Sequence, residues 1–269
     1  MITLASDFGS PYPAAMKGVI LSRTEAQLVD VSHDLPRQDP RAAAFWLCET
    51  VPYFPPAVHL AVVDPGVGTD RRAIALGVGD HALVAPDNGL LRPVVRRLAE
   101  HHHNTDPQIS AYEITVDDPA SSTFHGRDVF APAAAEIHEI GVGRLADLDM
   151  LSPIDLTSCV DLSFPEPTIE GEIIHGEVLV VDDFGNVITN VPGELLADAE
   201  QATVAGVTVP YVDTFARLDA GEKLLTVGSH GYVECDVNQG RGDEAFGLAA
   251  GDAVGIVVDH RTDEASSCR

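Results

Sequence analysis

Side chains able to do acid-base work recur in this sequence directly after short apolar runs. Residues 2–6 lead to Asp7, residues 58–63 to Asp64, and residues 82–85 to Pro86-Asp87-Asn88-Gly89; His125-Gly126-Arg127-Asp128 opens an alanine-rich run. Between Asp64 and Arg72, Pro65, Gly66 and Gly68 impose a tight turn that can present a carboxylate and a guanidinium side by side. If the apolar runs are strands of a parallel sheet, their carboxyl ends share one edge, where open α/β sheets bind ligands. Two chemistries suit such a set. Asp, Asp, Asn and His at strand ends are the ligand types of a two-metal phosphoesterase, which holds its ions about 3.5–4 Å apart. The local spellings of those enzymes (G-D-x-H, G-D-x-x-D-R, G-N-H) are absent, however, and Arg71 and Arg72 compete with a metal for Asp64. The preferred reading is metal-free, with Asp64, Arg71 and His125 orienting a water against an organic substrate. Taken singly, each residue also has an ordinary structural role: Asp64 as a turn cap, Arg71 in a surface ion pair, His125 in a turn, Asp7 in an Asx-turn.

The elements that must position these groups follow from periodicity. Residues 2–6, 26–31 and 58–63 read as strands, with helices over 16–24 and 39–50 between them. Strands over 73–78, 82–85 and 112–114 and helices over 90–100 and 129–140 continue the alternation. This is the signature of an α/β domain with a mostly parallel sheet flanked by helices. Residues 161–171 carry two prolines and little periodicity. Beyond them, strands over 172–181, 201–209, 223–227, 232–237 and 253–258, joined by glycine-bearing turns, predict an antiparallel, barrel-like β domain. The expected division is 1–163, a linker 164–170, and 171–269.

Composition narrows the classes further. At 269 residues and 45% hydrophobic, the chain buries a substantial core. Its net charge of −26 arises from 42 acidic against 16 basic residues, and only Lys17 and Lys223 are lysines. A diffuse acidic surface repels phosphate backbones, which excludes nucleic acid as a partner, and it suits a halophilic, molar-salt cytoplasm. No apolar run reaches the length of a membrane span, and no basic leader precedes the first strand, so a cytoplasmic location is expected. Cys48, Cys159, Cys235 and Cys268 lack metal-site or disulfide spacing. His101, His102 and His103 are adjacent on an expected loop, where neighbours rarely converge on one ion, so no metal is assigned to them.

In combination these stretches resemble a known family. TLASDFG (3–9), MKGVI (16–20), VVDPGVGTDRR (62–72), APDNGL (85–90), TFHGRDVF (123–130), VDDFGNVITN (181–190) and VNQG (237–240) are similar, in order and along nearly the whole chain, to the S-adenosyl-L-methionine (SAM) hydrolases. These are also called SAM hydroxide adenosyltransferases and are related to the SAM-dependent fluorinase and chlorinase. The resemblance implies an N-terminal α/β catalytic domain and a C-terminal β substrate-binding domain, in a homotrimer whose sites lie between subunits. It implies cleavage of SAM to adenosine and methionine, without cofactor or metal, by water or hydroxide attack at ribose C5′. The family's Asp, Arg and His map onto Asp64, Arg71 and His125. Asp7 is placed on the ribose hydroxyls, Asp182 near the methionine amino group, Phe184 and Asn186 at the adenine, and Ser229 at the methionine end. His230 stands where the fluorinase has an arginine. The sulfonium leaves as a neutral thioether, so no general acid is required. Arginine stays protonated, so the proton acceptor is Asp64 or His125. A SAM-dependent chlorinase and a non-catalytic adenosine- or SAM-binding protein are the alternatives.

Overall fold

The computed structural model describes residues 1–101, 107–116, 121–197 and 199–260. The chain divides into two compact units, Met1–Ser163 and Phe164–Arg269. Residues 164–170, expected to be a bare linker, contain a short strand at Thr168–Glu170.

The first unit is built on a seven-stranded sheet. Its strands are β1 (Ile2–Ser6), β2 (Leu28–Ser32), β3 (Val58–Val62), β4 (Ala73–Val78), β5 (His81–Pro86), β6 (Ile109–Ile114) and β7 (Leu151–Pro153), in the order β2-β1-β3-β5-β4-β6-β7. Every residue of β1, β3 and β5 is buried, which is why these segments read as unbroken apolar runs instead of alternating ones. The pairs β1–β2, β1–β3 and β3–β5 are parallel. β4 then reverses, running antiparallel to both β5 and β6, and β7 is antiparallel to β6. The reversal serves the site: Ala73, at the start of β4, pairs with Pro86, at the end of β5, so the 63–72 turn lies on the carboxyl edge of the parallel strands.

Four helices accompany this sheet: α1 (Tyr12–Leu21), α2 (Pro40–Thr50), α3 (Leu91–His101) and α4 (Ala131–Ile140). α2 starts cleanly because the Asp39 carboxylate accepts the Arg41 and Ala42 N–H groups and Pro40 occupies the first turn. Met16 and Ile20 of α1 and Phe130 and Ile137 around α4 are fully buried in one core with Leu4 and Leu60. A π-helical turn, Gly126–Phe130, runs directly into α4. Inside the sheet, Thr3, His59 and His81 form a buried hydrogen-bonded chain, and burial pushes His59 down to about 3, so its ring is neutral.

The second unit is antiparallel throughout its named strands. They are β8 (Thr168–Glu170), β9 (Ile173–Val181), β10 (Val187–Pro192), β11 (Ala199–Val204), β12 (Val207–Pro210), β13 (Lys223–Val227), β14 (Tyr232–Val237) and β15 (Ala253–His260). Seven lie in the order β12-β11-β15-β9-β10-β14-β13, and β8 pairs with β9. A bridge from Tyr211 to Leu225 draws the two ends together into a nearly closed barrel. Val178, Val187, Leu225, Val233, Cys235 and Ile256 fill its interior. A short helix, α5 (Gly242–Phe246), closes against β14. Among the described residues no helix is long and apolar enough to cross a membrane. Cys48, Cys159 and Cys235 are buried free thiols; Cys268, His102 and His103 lie outside the described residues.

Candidate active site

Asp64 follows β3 and Arg71 lies seven residues on, before β4. The turn is closed by Val67 N–H donating to the Asp64 carbonyl and Thr69 N–H to that of Gly66. Arg71 Nη2 donates to Asp64 Oδ2 at 2.5 Å, with only 10% and 5% of the two side chains exposed. The guanidinium is held on three other sides: Nη1 donates to the Arg72 carbonyl at 2.6 Å, its plane lies over the Phe130 ring at 5.3 Å, and Nη2 is 3.3 Å from His125 Nδ1. Guanidinium groups only donate, so His125 Nδ1 accepts and the ring proton resides on Nε2. Burial pushes the Asp64 pKa up, against the pull of Arg71. Asp64 Oδ1 is buried and has no hydrogen-bond partner. An orphaned carboxylate oxygen at this depth is costly unless something fills the space before it.

Asp64 also lines a cavity of about 480 Å³, together with His125, Val62, Phe8, Tyr12 and Phe124, among others. Phe8, Tyr12 and Phe124 pack edge to face, giving the cavity an aromatic wall suited to a flat, partly apolar ligand. Asp7 follows β1 and is nearly buried; its Oδ2 accepts the Gln38 N–H at 2.8 Å. Arg72 does not join Arg71 on Asp64. It pairs with Asp87 at 2.6 Å and donates to the Ser158 carbonyl, while Asp87 Oδ1 accepts the Val160 N–H. Asn88 donates to the Val63 carbonyl. Asp87 and Asn88 therefore brace the strand edge and do not face the cavity. Arg127 is paired with Asp128 and lies over the Phe124 ring.

The predicted binding residues of the second unit sit on two turns. Asp182, after β9, accepts from Phe184 N–H, Asn186 N–H and Asn186 Nδ2 at 2.8–3.0 Å, an arrangement that orders the turn and fixes the Asn186 amide. Phe184 is thereby held outward, 79% exposed. Ser229 is exposed in the Gly228–Gly231 turn between β13 and β14.

Sequence reasoning missed Glu234 and Asp236 on β14. The alternation in Tyr232-Val233-Glu234-Cys235-Asp236-Val237 suggests a strand with one wet face, yet both carboxyls are buried. Val233 and Cys235 point into the barrel, so Glu234 and Asp236 share the opposite face. Burial, reinforced by the charge of Asp182, pushes Glu234 up to about 7; burial, with the charges of Glu234 and Asp182, pushes Asp236 up to about 8. Both carboxyls hold protons in the folded state that the unfolded chain releases nearer pH 4. Their stabilising contribution is thus complete below that pH and is lost as pH rises through 7 and 8. The expected result is a melting temperature of the ligand-free protein that falls between pH 5 and 8, with a shallower fall in Asp236→Asn. A flat profile in the unsubstituted protein would contradict the assignment.

Comparison with known proteins bears on the whole chain. Residues 2–146 match the SAM hydroxide adenosyltransferase N-terminal domain and residues 176–255 the C-terminal domain. A (R)-S-adenosyl-L-methionine hydrolase of Salinispora tropica is 40% identical over 96% of this chain and 97% of its own. One of Thermus thermophilus is 39% identical over 91% and 95%. Among solved structures, an uncharacterized conserved protein from Thermotoga maritima aligns with a TM-score of 0.77 at 30% identity, covering 95% of this chain and 99% of that one. A conserved hypothetical protein from Thermus thermophilus aligns at 0.73 and 37% identity, covering 95% and 98%. Two domain matches in order and near-complete relatives at this identity establish that the chain belongs to the SAM hydroxide adenosyltransferase family.

Proposed function

We propose that this protein hydrolyses SAM to adenosine and L-methionine. The observation that carries the mechanism is the Asp64 carboxylate, which lines a ligand-sized cavity and has one oxygen fixed by Arg71 while the other is without a partner. A water seated at Oδ1 gives up its proton there. Its oxygen forms a bond to ribose C5′, the C5′–S bond breaks, and the electron pair of that bond neutralises the sulfonium. Arg71 supplies a fixed cation that favours hydroxide character in the attacking water, and His125, with its proton on Nε2, donates to that water and aims it. His125 is therefore a director, and Asp64 is the proton acceptor.

For binding, Asp7 takes the ribose hydroxyls with the lone pairs that Gln38 leaves free. The outward Phe184 and the ordered Asn186 amide take the adenine, and Asp182 and Ser229 take the methionine end. In this reading the second unit comes from a neighbouring subunit of a homotrimer. The relatives' names specify the R epimer, and we assign this chain the same preference. In this reading neither cofactor nor metal takes part, and Arg71 occupies the position beside Asp64 that a cation would take.

The test is direct. Protein treated with a chelator is incubated with each SAM epimer in chloride, and the products are separated. Adenosine and methionine in equal amounts, faster from the R epimer, are expected. 5′-chloro-5′-deoxyadenosine would identify a halogenase, and no product would leave a binding protein. Mixing Asp64→Asn with Asn186→Ala subunits should restore part of the activity that each lacks alone; failure in a verified mixed trimer would remove the intersubunit assignment.

A further inference from the structure

The Arg72–Asp87 pair takes no part in the mechanism above, yet the Arg72 carbonyl carries one end of the Arg71 cation. The Arg71 guanidinium has a buried Nε without a partner, so its two terminal nitrogens place it. Nη2 serves Asp64 and His125, and Nη1 rests on the Arg72 carbonyl at 2.6 Å. A planar fork held at both tips keeps its direction; held at one, it pivots. The Arg72 carbonyl is itself held by the Asp87 N–H at 2.9 Å. This bond closes the β4–β5 ladder at the site edge, because Ala73 pairs with Pro86, which has no N–H to give. The last bond of a ladder frays unless something else closes it. Here the side chains of the same two residues do so: Arg72 Nε and Nη2 donate to Asp87 Oδ2 at 3.0 and 2.6 Å, and Asp87 is buried.

The pair is moored in turn to the last segment of the first unit. Arg72 Nη2 also donates to the Ser158 carbonyl at 2.6 Å, and Asp87 Oδ1 accepts the Val160 N–H at 2.8 Å. That segment is itself held by α3: Arg92 donates to the Leu156 carbonyl, and Arg96 donates to the Leu162 carbonyl and pairs with Asp161. We infer that Arg72 and Asp87 are positioning residues for the reaction. Their lock fixes the Arg72 carbonyl, and the carbonyl aims the Arg71 guanidinium at Asp64. This rests on the hydrolase reading, in which Asp64 accepts the proton and Arg71 is the fixed cation. Loosening the lock alters no group that touches the substrate. It lets the guanidinium turn away, so Asp64 loses part of the charge that favours its ionised form. His125 is the other ionisable group acting on Asp64, Arg127 on the cavity wall is paired with Asp128, and Glu113 and Cys159 act on Arg72. All of these are retained in the variants below.

The acid limb of kcat/KM for adenosine formation, which reports ionisation of the free enzyme's base, tests this in Arg72→Lys and Asp87→Asn, with melting temperatures recorded alongside. Lysine keeps the charge, but as a single point donor it cannot hold Asp87 and Ser158 together. Both variants should move the limb up by about one pH unit, because a close opposite charge lowers a carboxyl by about 1–3 units and part of that is lost. On the plateau above the limb, kcat should fall about tenfold with KM within about twofold. The direction is diagnostic. If Asp87 acted on Asp64 only through its charge, Asp87→Asn would move the limb down and Arg72→Lys would leave it in place. If the pair were merely structural, the melting temperature would fall with the limb unmoved. Either result would overturn the inference, and Arg72→Lys decides it alone where Asp87→Asn does not fold. An intact protein that forms no adenosine removes the substrate reading, and one whose rate lacks the limb removes Asp64 as the base; the inference falls with either.

Discussion

Asp64→Asn is expected to lower adenosine formation by at least about 100-fold, the scale of lost general base catalysis. Substrate binding should persist, because the amide keeps the shape of the side chain and its carbonyl oxygen still accepts from Arg71. What disappears is the acceptor at the second oxygen position, which becomes an NH₂ group that repels a water proton. The pH profile gives an independent check. Burial raises the Asp64 pKa above that of an ordinary carboxylate, so kcat/KM of the intact enzyme should climb with pH as this group ionises and then level. The residual activity of Asp64→Asn should lack that limb. His125→Ala should also cost about 100-fold, through lost aim, while keeping the limb. An Asp64→Asn enzyme with wild-type rate, or with the acid limb intact, would take Asp64 out of the base role.

Gly242→Ala is expected to destabilise the second unit by about 3 kcal/mol, which lowers the melting temperature by roughly 10 °C. Gly242 opens α5, and a β-carbon there would run into the Cys235 carbonyl oxygen while lying 3.0 Å from that of Gly185. Both obstacles are backbone, so the strain cannot be relieved by a side-chain rotation. Gly185 belongs to the Asp182–Asn186 turn and donates to the Asp182 carbonyl, so the displacement carries into a predicted binding turn. KM should therefore rise with the loss of stability. A variant that melts within 2 °C of the parent would show that α5 can move away from β14 at little cost.

Much of the site was legible because its elements are punctuated locally. Pro65, Gly66 and Gly68 mark a turn whatever surrounds it, and the flanking apolar runs are long enough to identify as buried strands. Pairing choices were not legible. Arg71 and Arg72 are adjacent and chemically identical in sequence, yet one holds Asp64 and the other Asp87, because successive residues at a strand entrance point to opposite sides. The reversal of β4 was legible in its connection and not in its composition: only Gly79 and Asp80 separate it from β5, and a two-residue turn can join only antiparallel strands. Short strands such as Leu151–Pro153 and Thr168–Glu170 are too brief for periodicity to register. Glu234 and Asp236 misled for the converse reason: polar alternation ordinarily signals solvent on one face, and here that face is covered.

The π turn at Gly126–Phe130 has a bearing on variation in length. A π-helix spends more residues on a turn than an α-helix does, which amounts to one residue inserted ahead of α4. Deleting any one of residues 126–130 allows the ladder to close as α-helix, and everything before the deletion then turns about 100° around the helix axis. His125 would swing away from Arg71 with no functional side chain altered. The aim of the histidine is thus a matter of count as well as identity, and scanning by deletion would expose a dependence that scanning by substitution passes over.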